Sequence, residues 1–119
     1  MPFEGKRVLV VEDDAIVAMD LAEILRDARC NVVGPLSSLE EAIVEVGKNS
    51  LDAALLDLNL RGYQSFPVMD ALVAANIPFV IVTGYERLTL PIQFQYRPIV
   101  AKPFSRIEVL GALTQAIAR

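Results

Sequence analysis

Five short apolar runs, each followed by a stretch with helical periodicity, constrain the fold of this chain more than any other feature of its sequence. Residues 8–11 and 79–82 are continuous apolar runs, which suit parallel strands that are buried on both faces. The alternation of strand and helix predicts βαβ crossovers and a parallel sheet covered by helices on both sides. The predicted strands are residues 7–11, 31–35, 52–56, 78–82 and 97–101.

Four amphipathic helices are predicted between and after these strands. Ser38, three residues before Glu41, is a capping-box pattern at the start of the second helix. Five strands in one α/β domain favour the flavodoxin-like (βα)5 fold with the strand order 2-1-3-4-5. The predicted helices are residues 15–28, 39–48, 65–75 and 107–118.

Residues 88–96 fit a helix poorly, although the βα rhythm requires one there. Leu88, Leu90 and Ile92 alternate with polar residues or proline, a period of two that is unlike a helix. The connection is also barely long enough for a crossover between parallel strands. We therefore expect a short, distorted or mobile fourth helix.

Composition argues against several classes of function. The 11 lysines and arginines against 15 aspartates and glutamates give a net charge of −4, which argues against nucleic acid and anionic membranes as partners. The chain has no histidine, which removes imidazole chemistry, and its single cysteine, Cys30, is expected to be a small buried hydrophobe. No apolar run approaches the roughly 20 residues that cross a bilayer, and no signal-peptide pattern is present. We expect a soluble cytoplasmic domain.

Chemically useful side chains follow four of the five predicted strands. In an open parallel sheet, ligands bind beyond the carboxyl ends of the strands, so these residues are expected to share one edge. Asp14 is the exception, because an aspartate before a predicted helix is more often its N-cap. The residues are Glu12, Asp13 and Asp14 after the first strand, Asp57 after the third, Thr83 after the fourth and Lys102 after the fifth.

Three carboxylates at one edge need a positive partner. Two unit charges about 4 Å apart interact by about 4 kcal/mol at an effective dielectric constant near 20, so Lys102 alone does not neutralise such a cluster. A set of oxygen ligands without histidine or a cysteine pair predicts Mg²⁺ or Mn²⁺. A cation beside a hydroxyl and a lysine suits phosphoryl transfer, with Asp57 as the nucleophile.

These residues resemble the receiver domain of bacterial two-component response regulators. The resemblance covers the whole chain and implies a single receiver domain over residues 1–119. It also implies that the protein is a signalling phospho-acceptor, which catalyses only its own phosphorylation and dephosphorylation and is not an enzyme in the usual sense. The motifs are Val-Glu-Asp-Asp at 11–14, Leu-Leu-Asp-Leu-Asn at 55–59, Val-Thr-Gly at 82–84 and Ala-Lys-Pro-Phe at 101–104.

The resemblance assigns a role to each strand-end residue. It implies that Asp57 accepts a phosphoryl group from a sensor histidine kinase or a phosphotransfer protein. Asp13 and Asp57 would bind Mg²⁺ directly, Glu12 through a water molecule, and Asn59 through its main-chain carbonyl.

On the phosphoryl side of the site, the resemblance implies that Thr83 and Lys102 hold the phosphoryl oxygens. It also implies a cis peptide bond before Pro103, which would aim Lys102 into the site.

The chain departs from the common family pattern at two places. Ile99 stands where members usually carry Tyr or Phe, and the interval from Thr83 to Lys102 is a few residues short. With Pro-Phe-Val-Ile-Val-Thr-Gly-Tyr at 78–85, these features resemble the FAT-GUY subclass, with Val82 in place of the motif's alanine. That subclass includes stand-alone receivers and partners of HWE histidine kinases. It implies that Tyr85, or residues 85–96, form the moving segment.

Several functions stay open at this stage. The first is a response regulator whose output is phosphorylation-dependent binding to another protein. A phosphate sink for a kinase and a constitutive, non-phosphorylated binding module are the alternatives, and a homodimer stays open. A haloacid-dehalogenase-type hydrolase is disfavoured, because it needs a second aspartate where Asn59 stands.

Overall fold

Five parallel strands form the central sheet in the computed structural model, which describes residues 2–48, 50–84 and 90–118. The order is β2-β1-β3-β4-β5, so the predicted topology is confirmed. Three strands end one residue later than predicted: β2 ends at Leu36, β3 at Asp57 and β4 at Thr83. The strands are β1 (Arg7–Val11), β2 (Asn31–Leu36), β3 (Ala53–Asp57), β4 (Phe79–Thr83) and β5 (Ile99–Ala101).

The four α-helices agree with the predicted ones to within one residue at each end. Between β4 and β5 the described residues contain one 3₁₀ turn, Ile92–Phe94, in place of a regular fourth helix. Residues 85–89, including Tyr85, lie outside the described part. No helix among the described residues is both long enough and apolar enough to span a membrane. The α-helices are α1 (Ala15–Asp27), α2 (Leu39–Lys48), α3 (Phe66–Ala74) and α4 (Arg106–Ile117).

The sheet separates two hydrophobic layers. Because alternate residues of a strand point to opposite faces, Val8 and Val10 join one layer while Leu9 and Val11 join the other. The first layer also holds buried residues of α1 and α4, and the second holds those of α2 and α3. Cys30 is buried in the first layer, as predicted.

A small antiparallel hairpin follows β3 and was not predicted as a pair of strands. Asn59–Leu60 pairs with Tyr63–Gln64 around a turn at Arg61 and Gly62. Both turn residues have positive φ angles, +51° and +86°, the conformation of the tight turns that match the twist of a hairpin. The turn brings the chain back toward the end of β3.

Gly34 shapes the end of β2 beside the site. Its φ is +97°, and a Cβ atom there would lie 2.8 Å from the nitrogen of Leu36 and 2.9 Å from the carbonyl oxygen of Val10, so no side chain fits. The register between β1 and β2 shifts at this point, and the Gly34–Pro35 peptide is cis. The Leu36 carbonyl then accepts the N–H of Glu12 at 2.9 Å, which fixes the residue that follows β1.

Candidate functional site

A pocket of about 600 Å³ opens at the carboxyl edge of the sheet. Five of the six predicted site residues line it. The sixth, Thr83, is buried at the end of β4, where its main-chain carbonyl accepts the N–H of Lys102 at 2.7 Å. The lining residues are Glu12, Asp13, Asp14, Asp57, Asn59, Gly62, Gly84 and Lys102.

Three carboxylates form the centre of the site and are called here the carboxylate cluster: Glu12, Asp13 and Asp57. One oxygen from each lies within 4.8 Å of the others. Glu12 and Asp57 are buried, whereas Asp13 lies at the exposed margin. This spacing suits oxygen atoms that share one cation.

Lys102 supplies positive charge to the cluster. Its Nζ lies 2.8 Å from Oε1 of Glu12 and 3.2 Å from Oδ2 of Asp57. Burial alone would lower the pKa of Lys102, but the two carboxylates outweigh it and raise that pKa above its ordinary value. The ammonium group is therefore charged throughout the neutral range. The Lys102–Pro103 peptide is cis, as predicted.

The surroundings of Glu12 disfavour its ionised form. Burial raises its pKa from 4.5 to about 7, although Lys102 opposes the shift. Its Oε2 accepts the N–H of Asp14 at 3.1 Å, and its buried Oε1 contacts Lys102 as an ion pair without hydrogen-bond alignment. One lysine thus leaves the buried charge of the cluster incompletely compensated.

Asp13 is held from the hairpin. Its Oδ2 accepts the main-chain N–H of Arg61 at 2.8 Å, while the Arg61 guanidinium donates to Oγ of Ser37 at 2.9 Å. Burial would raise the pKa of Asp13, but the hydrogen bond from Arg61 leads the contributions that hold it below its ordinary value of 3.8. This carboxylate is therefore ionised at neutral pH.

Asp14 acts as the cap of α1, as the sequence predicted. Its Oδ1 accepts the N–H groups of Ile16 at 2.9 Å and Val17 at 3.2 Å. These two bonds satisfy free donors of the first helical turn and commit that oxygen to the helix.

The main chain of the hairpin holds Asp57 and Asn59 together. The N–H of Asn59 donates to Oδ1 of Asp57 at 3.2 Å, and Oδ1 of Asn59 accepts the N–H of Gly62 at 3.0 Å. The side-chain oxygen of Asn59 therefore serves the turn. Binding of a cation by the main-chain carbonyl of Asn59 stays a prediction.

Ser65 is a buried residue of the site that the sequence analysis missed. It stands at the N-cap position of α3, yet its side chain makes no capping bond. Its Oγ donates instead to the main-chain carbonyl of Asp57, at 2.7 Å. A serine before Phe66 and Pro67 is typical of a helix start, so no sequence signal pointed to the strand end behind it.

The donor set fits a divalent cation. Three carboxylates lie against a single ammonium group, that of Lys102, so the fully ionised cluster would carry two negative charges without a partner. All the donors are oxygen atoms, which favours hard cations such as Mg²⁺ over zinc or copper. Burial is the main cause of the raised pKa of Glu12 and the neighbouring Asp57 adds to it, so a bound cation would favour the ionised form of Glu12.

The chain is similar in sequence to a known signalling family. The sequence model of the response regulator receiver domain matches residues 8–114. Among curated proteins, the transcriptional regulatory protein PdtaR of Mycobacterium tuberculosis is 27% identical over 118 residues, which cover 96% of this chain and 58% of PdtaR. The chain therefore spans little more than half the length of that relative.

Solved structures of other proteins are similar to this chain in fold as well as in sequence. SdrG from Sphingomonas melonis Fr1 superposes with a TM-score of 0.86 at 37% identity, covering 97% of this chain and 98% of SdrG. The BeF3-activated conformation of SdrG from Pseudomonas melonis Fr1 gives a TM-score of 0.80 at 37% identity, covering 93% of this chain and 95% of that one. The similarity thus spans both the sheet and the strand ends that form the pocket.

Proposed function

The chain belongs to the response regulator receiver domain family, and from this premise we propose that Asp57 accepts a phosphoryl group from a sensor histidine kinase or a phosphotransfer protein. The observation that carries the proposal is the position of the Asp57 carboxylate. It lies at the end of β3, 3.2 Å from the Lys102 ammonium and within 4.8 Å of oxygens from Glu12 and Asp13. Receiver domains of this family are signalling phospho-acceptors of two-component systems.

The proposed reaction is a transfer between a nitrogen and an oxygen. A carboxylate oxygen of Asp57 attacks the phosphorus atom of a phosphohistidine, the P–N bond breaks, and its electron pair leaves with the imidazole. The product is an acyl phosphate on Asp57. Attack of water on that phosphorus then returns the carboxylate and releases inorganic phosphate, which resets the protein.

Lys102 and Thr83 are proposed to receive the phosphoryl oxygens. The Lys102 ammonium already contacts Oδ2 of Asp57, so it lies beside the position where negative charge accumulates. Thr83 ends the neighbouring strand, and its carbonyl is tied to the main chain of Lys102. Because of this hydrogen bond, a displacement of the Lys102 main chain toward the phosphoryl group would also move Thr83.

We further propose that Mg²⁺, or Mn²⁺ with the same donors, is the cofactor. Asp13, Asp57 and the main-chain carbonyl of Asn59 would bind it directly, and Glu12 would bind it through a water molecule. When bound, such a cation neutralises the charge of the carboxylates and of the phosphoryl oxygens. The excess negative charge of the cluster and the raised pKa of Glu12 support this assignment.

The proposed output is binding of another protein that depends on phosphorylation, with residues 1–119 acting as a single receiver domain. The β4–β5 connection supports this choice, because Ile92 and Tyr96 are 76% and 77% exposed while Phe94 between them is buried. Such a segment presents apolar surface that a partner protein could cover. The sequence motif at 78–85 favours a kinase of the HWE type as the donor.

Mass spectrometry of the intact protein tests the central proposal. Incubation with Mg²⁺ and acetyl phosphate is expected to add one phosphoryl group to the wild type and none to Asp57→Asn, with no addition in EDTA. Asp70→Asn is the matched control, because Asp70 is exposed on α3 and should leave the gain unchanged. A wild-type protein that is folded but neither gains mass nor binds beryllofluoride would overturn the proposal.

The lifetime of the acyl phosphate then separates an effector from a phosphate sink. After removal of the donor, the mass of the phosphorylated form is followed with time. A lifetime of many minutes supports a binding output, because a partner needs time to find the phosphorylated form. Loss within seconds supports the sink.

A further inference from the structure

Ser65 occupies an unusual place between the hairpin and α3. It is fully buried, and its Oγ lies 2.7 Å from the carbonyl oxygen of Asp57 and 3.0 Å from that of Leu58. Its main-chain N–H also donates to the Leu58 carbonyl, at 2.8 Å. A serine at the N-cap of a helix ordinarily directs its oxygen to the helix, so this hydroxyl serves a different purpose.

The two carbonyls that Ser65 contacts belong to consecutive residues. In an extended strand, successive carbonyl groups point in opposite directions, so one hydroxyl cannot reach both. Here both lie within hydrogen-bonding distance of one oxygen, which requires the chain to bend at Leu58 directly after Asp57. Ser65 thus holds the bend from which the Asp57 side chain projects.

The loop that Ser65 closes carries two of the proposed metal donors. Residues 57–65 include the Asp57 carboxylate and the Asn59 carbonyl, joined by the bond from Asn59 N–H to Oδ1 of Asp57. The hairpin pairing between Asn59 and Gln64 closes the loop, and Ser65 ties its end to its beginning. The orientation of the Asp57 carboxylate and of the Asn59 carbonyl therefore depends on the contacts that close this loop.

We propose that Ser65 is a positioning residue, whose buried hydroxyl fixes the main chain at Asp57 and Leu58 and thereby orients the Asp57 carboxylate and the Asn59 carbonyl. The inference rests on the proposed function, because it gives Ser65 a role in a site assigned there. It goes beyond that function in naming a residue that touches neither cation nor phosphoryl group. Residues that orient ligands in this way commonly change metal affinity by about 10- to 100-fold when they are removed.

The test compares Ser65→Ala with Ser38→Ala. Ser38 is also a helix-start serine. Its Oγ accepts the N–H of Glu41 on α2, and it does not line the pocket. Both variants lose one serine hydroxyl and some stability, but only Ser65→Ala should weaken Mg²⁺ binding, by about tenfold. In the metal-free protein, Ser65→Ala should also speed hydrogen exchange of the Asn59 amide, which donates to Asp57, while amides of β1 stay unchanged.

Two further variants keep the test decisive. Ser65→Thr retains the hydroxyl and should restore Mg²⁺ affinity, whereas Ser65→Cys keeps a similar shape with a weaker donor and should resemble Ser65→Ala. If Ser65→Ala does not fold, the Cys variant takes its place in each measurement.

The outcomes distinguish the two proposals. Wild-type protein that binds Mg²⁺ and accepts phosphate, with Ser65 variants that match it in affinity and in exchange at Asn59, would overturn the role of Ser65 alone. Wild-type protein that binds neither Mg²⁺ nor beryllofluoride would overturn the proposed function instead. A loss of affinity that Ser65→Thr rescues supports the positioning role.

Discussion

The carboxylate cluster and the described part of the β4–β5 connection are built in different ways. The cluster is held by bonds from several elements: Lys102 from beyond β5, the N–H of Arg61 from the hairpin, and the N–H of Asn59 on Asp57. The described part of the connection, by contrast, contains one 3₁₀ turn and is anchored by Phe94. The chemical groups are therefore fixed by several short polar contacts, whereas the described part of the connection depends on the packing of one aromatic side chain.

The anchor of the connection is a small aromatic group. The Phe94 ring lies 6.1 Å from that of Phe66 and 6.2 Å from that of Phe79, and the Arg97 guanidinium lies 4.7 Å from the centre of the Phe79 ring. Contacts of this kind stabilise by burial of apolar surface and by ring geometry. They place no polar group in the phosphoryl pocket.

The largest predicted effect is that of Phe94→Ala, which removes the anchor. Loss of a buried phenylalanine should lower the free energy of unfolding by about 3 to 5 kcal/mol, measured by urea denaturation. If the two regions are built independently, Mg²⁺ affinity of the folded protein should stay within about twofold. Tyr96→Ala is the control, since this exposed side chain should cost at most about 0.5 kcal/mol. A parallel loss of Mg²⁺ affinity in Phe94→Ala would show that the regions are coupled.

The next effect is the change with pH in the stability of the metal-free protein, which depends on Glu12 of the carboxylate cluster. Because the pKa of Glu12 is raised to about 7 in the folded protein, the folded state binds its proton more tightly than the unfolded state does. Stability of the metal-free protein should therefore fall as the pH rises from about 4.5 through 7. A shift from 4.5 to about 7 corresponds to at most about 3 kcal/mol.

Urea denaturation in EDTA at pH 5 and pH 8 measures this loss. Glu12→Gln or saturating Mg²⁺ should remove most of it, whereas Glu40→Gln, an exposed residue of α2, should keep it. Asp13 and Lys102 do not interfere, because their pKa values are shifted below 3.8 and above 10.5, outside this window. Equal stability of the metal-free wild type at both values would contradict the raised pKa of Glu12 in the folded protein.

The smallest predicted effect is that of Ile99→Ala. Ile99 is 42% exposed on β5, so truncation should cost about 1 kcal/mol or less and leave the rate of phosphorylation unchanged. Amide resonances should still shift on addition of beryllofluoride, because we assign the moving segment to the connection and not to this side chain. Val100→Ala, the buried neighbour on the same strand, should cost more. Loss of the beryllofluoride response in Ile99→Ala would place the switch on β5.

The parts of the fold that the sequence predicted are those set by local periodicity. Strand order, the four helices and the gathering of Glu12, Asp57 and Lys102 at one edge follow from apolar runs and from the geometry of parallel sheets. The hairpin and the contact of Ser65 with Asp57 were missed, because both depend on a chain reversal that involves residues up to eight positions apart. No periodic pattern encodes such a reversal.

The β4–β5 connection shows a second limit of prediction from the sequence. Apolar residues stand at every second position, but the structure packs Leu90 and Phe94 against the core and leaves Ile92 and Tyr96 exposed. Burial therefore repeats every four residues, the spacing of a helical turn, although the sequence pattern has a period of two. Tertiary packing decides which of these apolar residues are buried, and the alternation in the sequence does not contain that information.

Arg61 contributes to the site through its main chain, and a contact of that kind is not revealed by replacing the side chain. Its N–H, which every residue except proline possesses, holds Asp13, and its guanidinium only reaches Ser37. A saturation mutagenesis screen would therefore record position 61 as permissive, apart from a penalty for proline and some preference for residues that accept its φ of +51°. Tolerance in such a screen measures the dispensability of a side chain, and at this position it would conceal a backbone donor that belongs to the site.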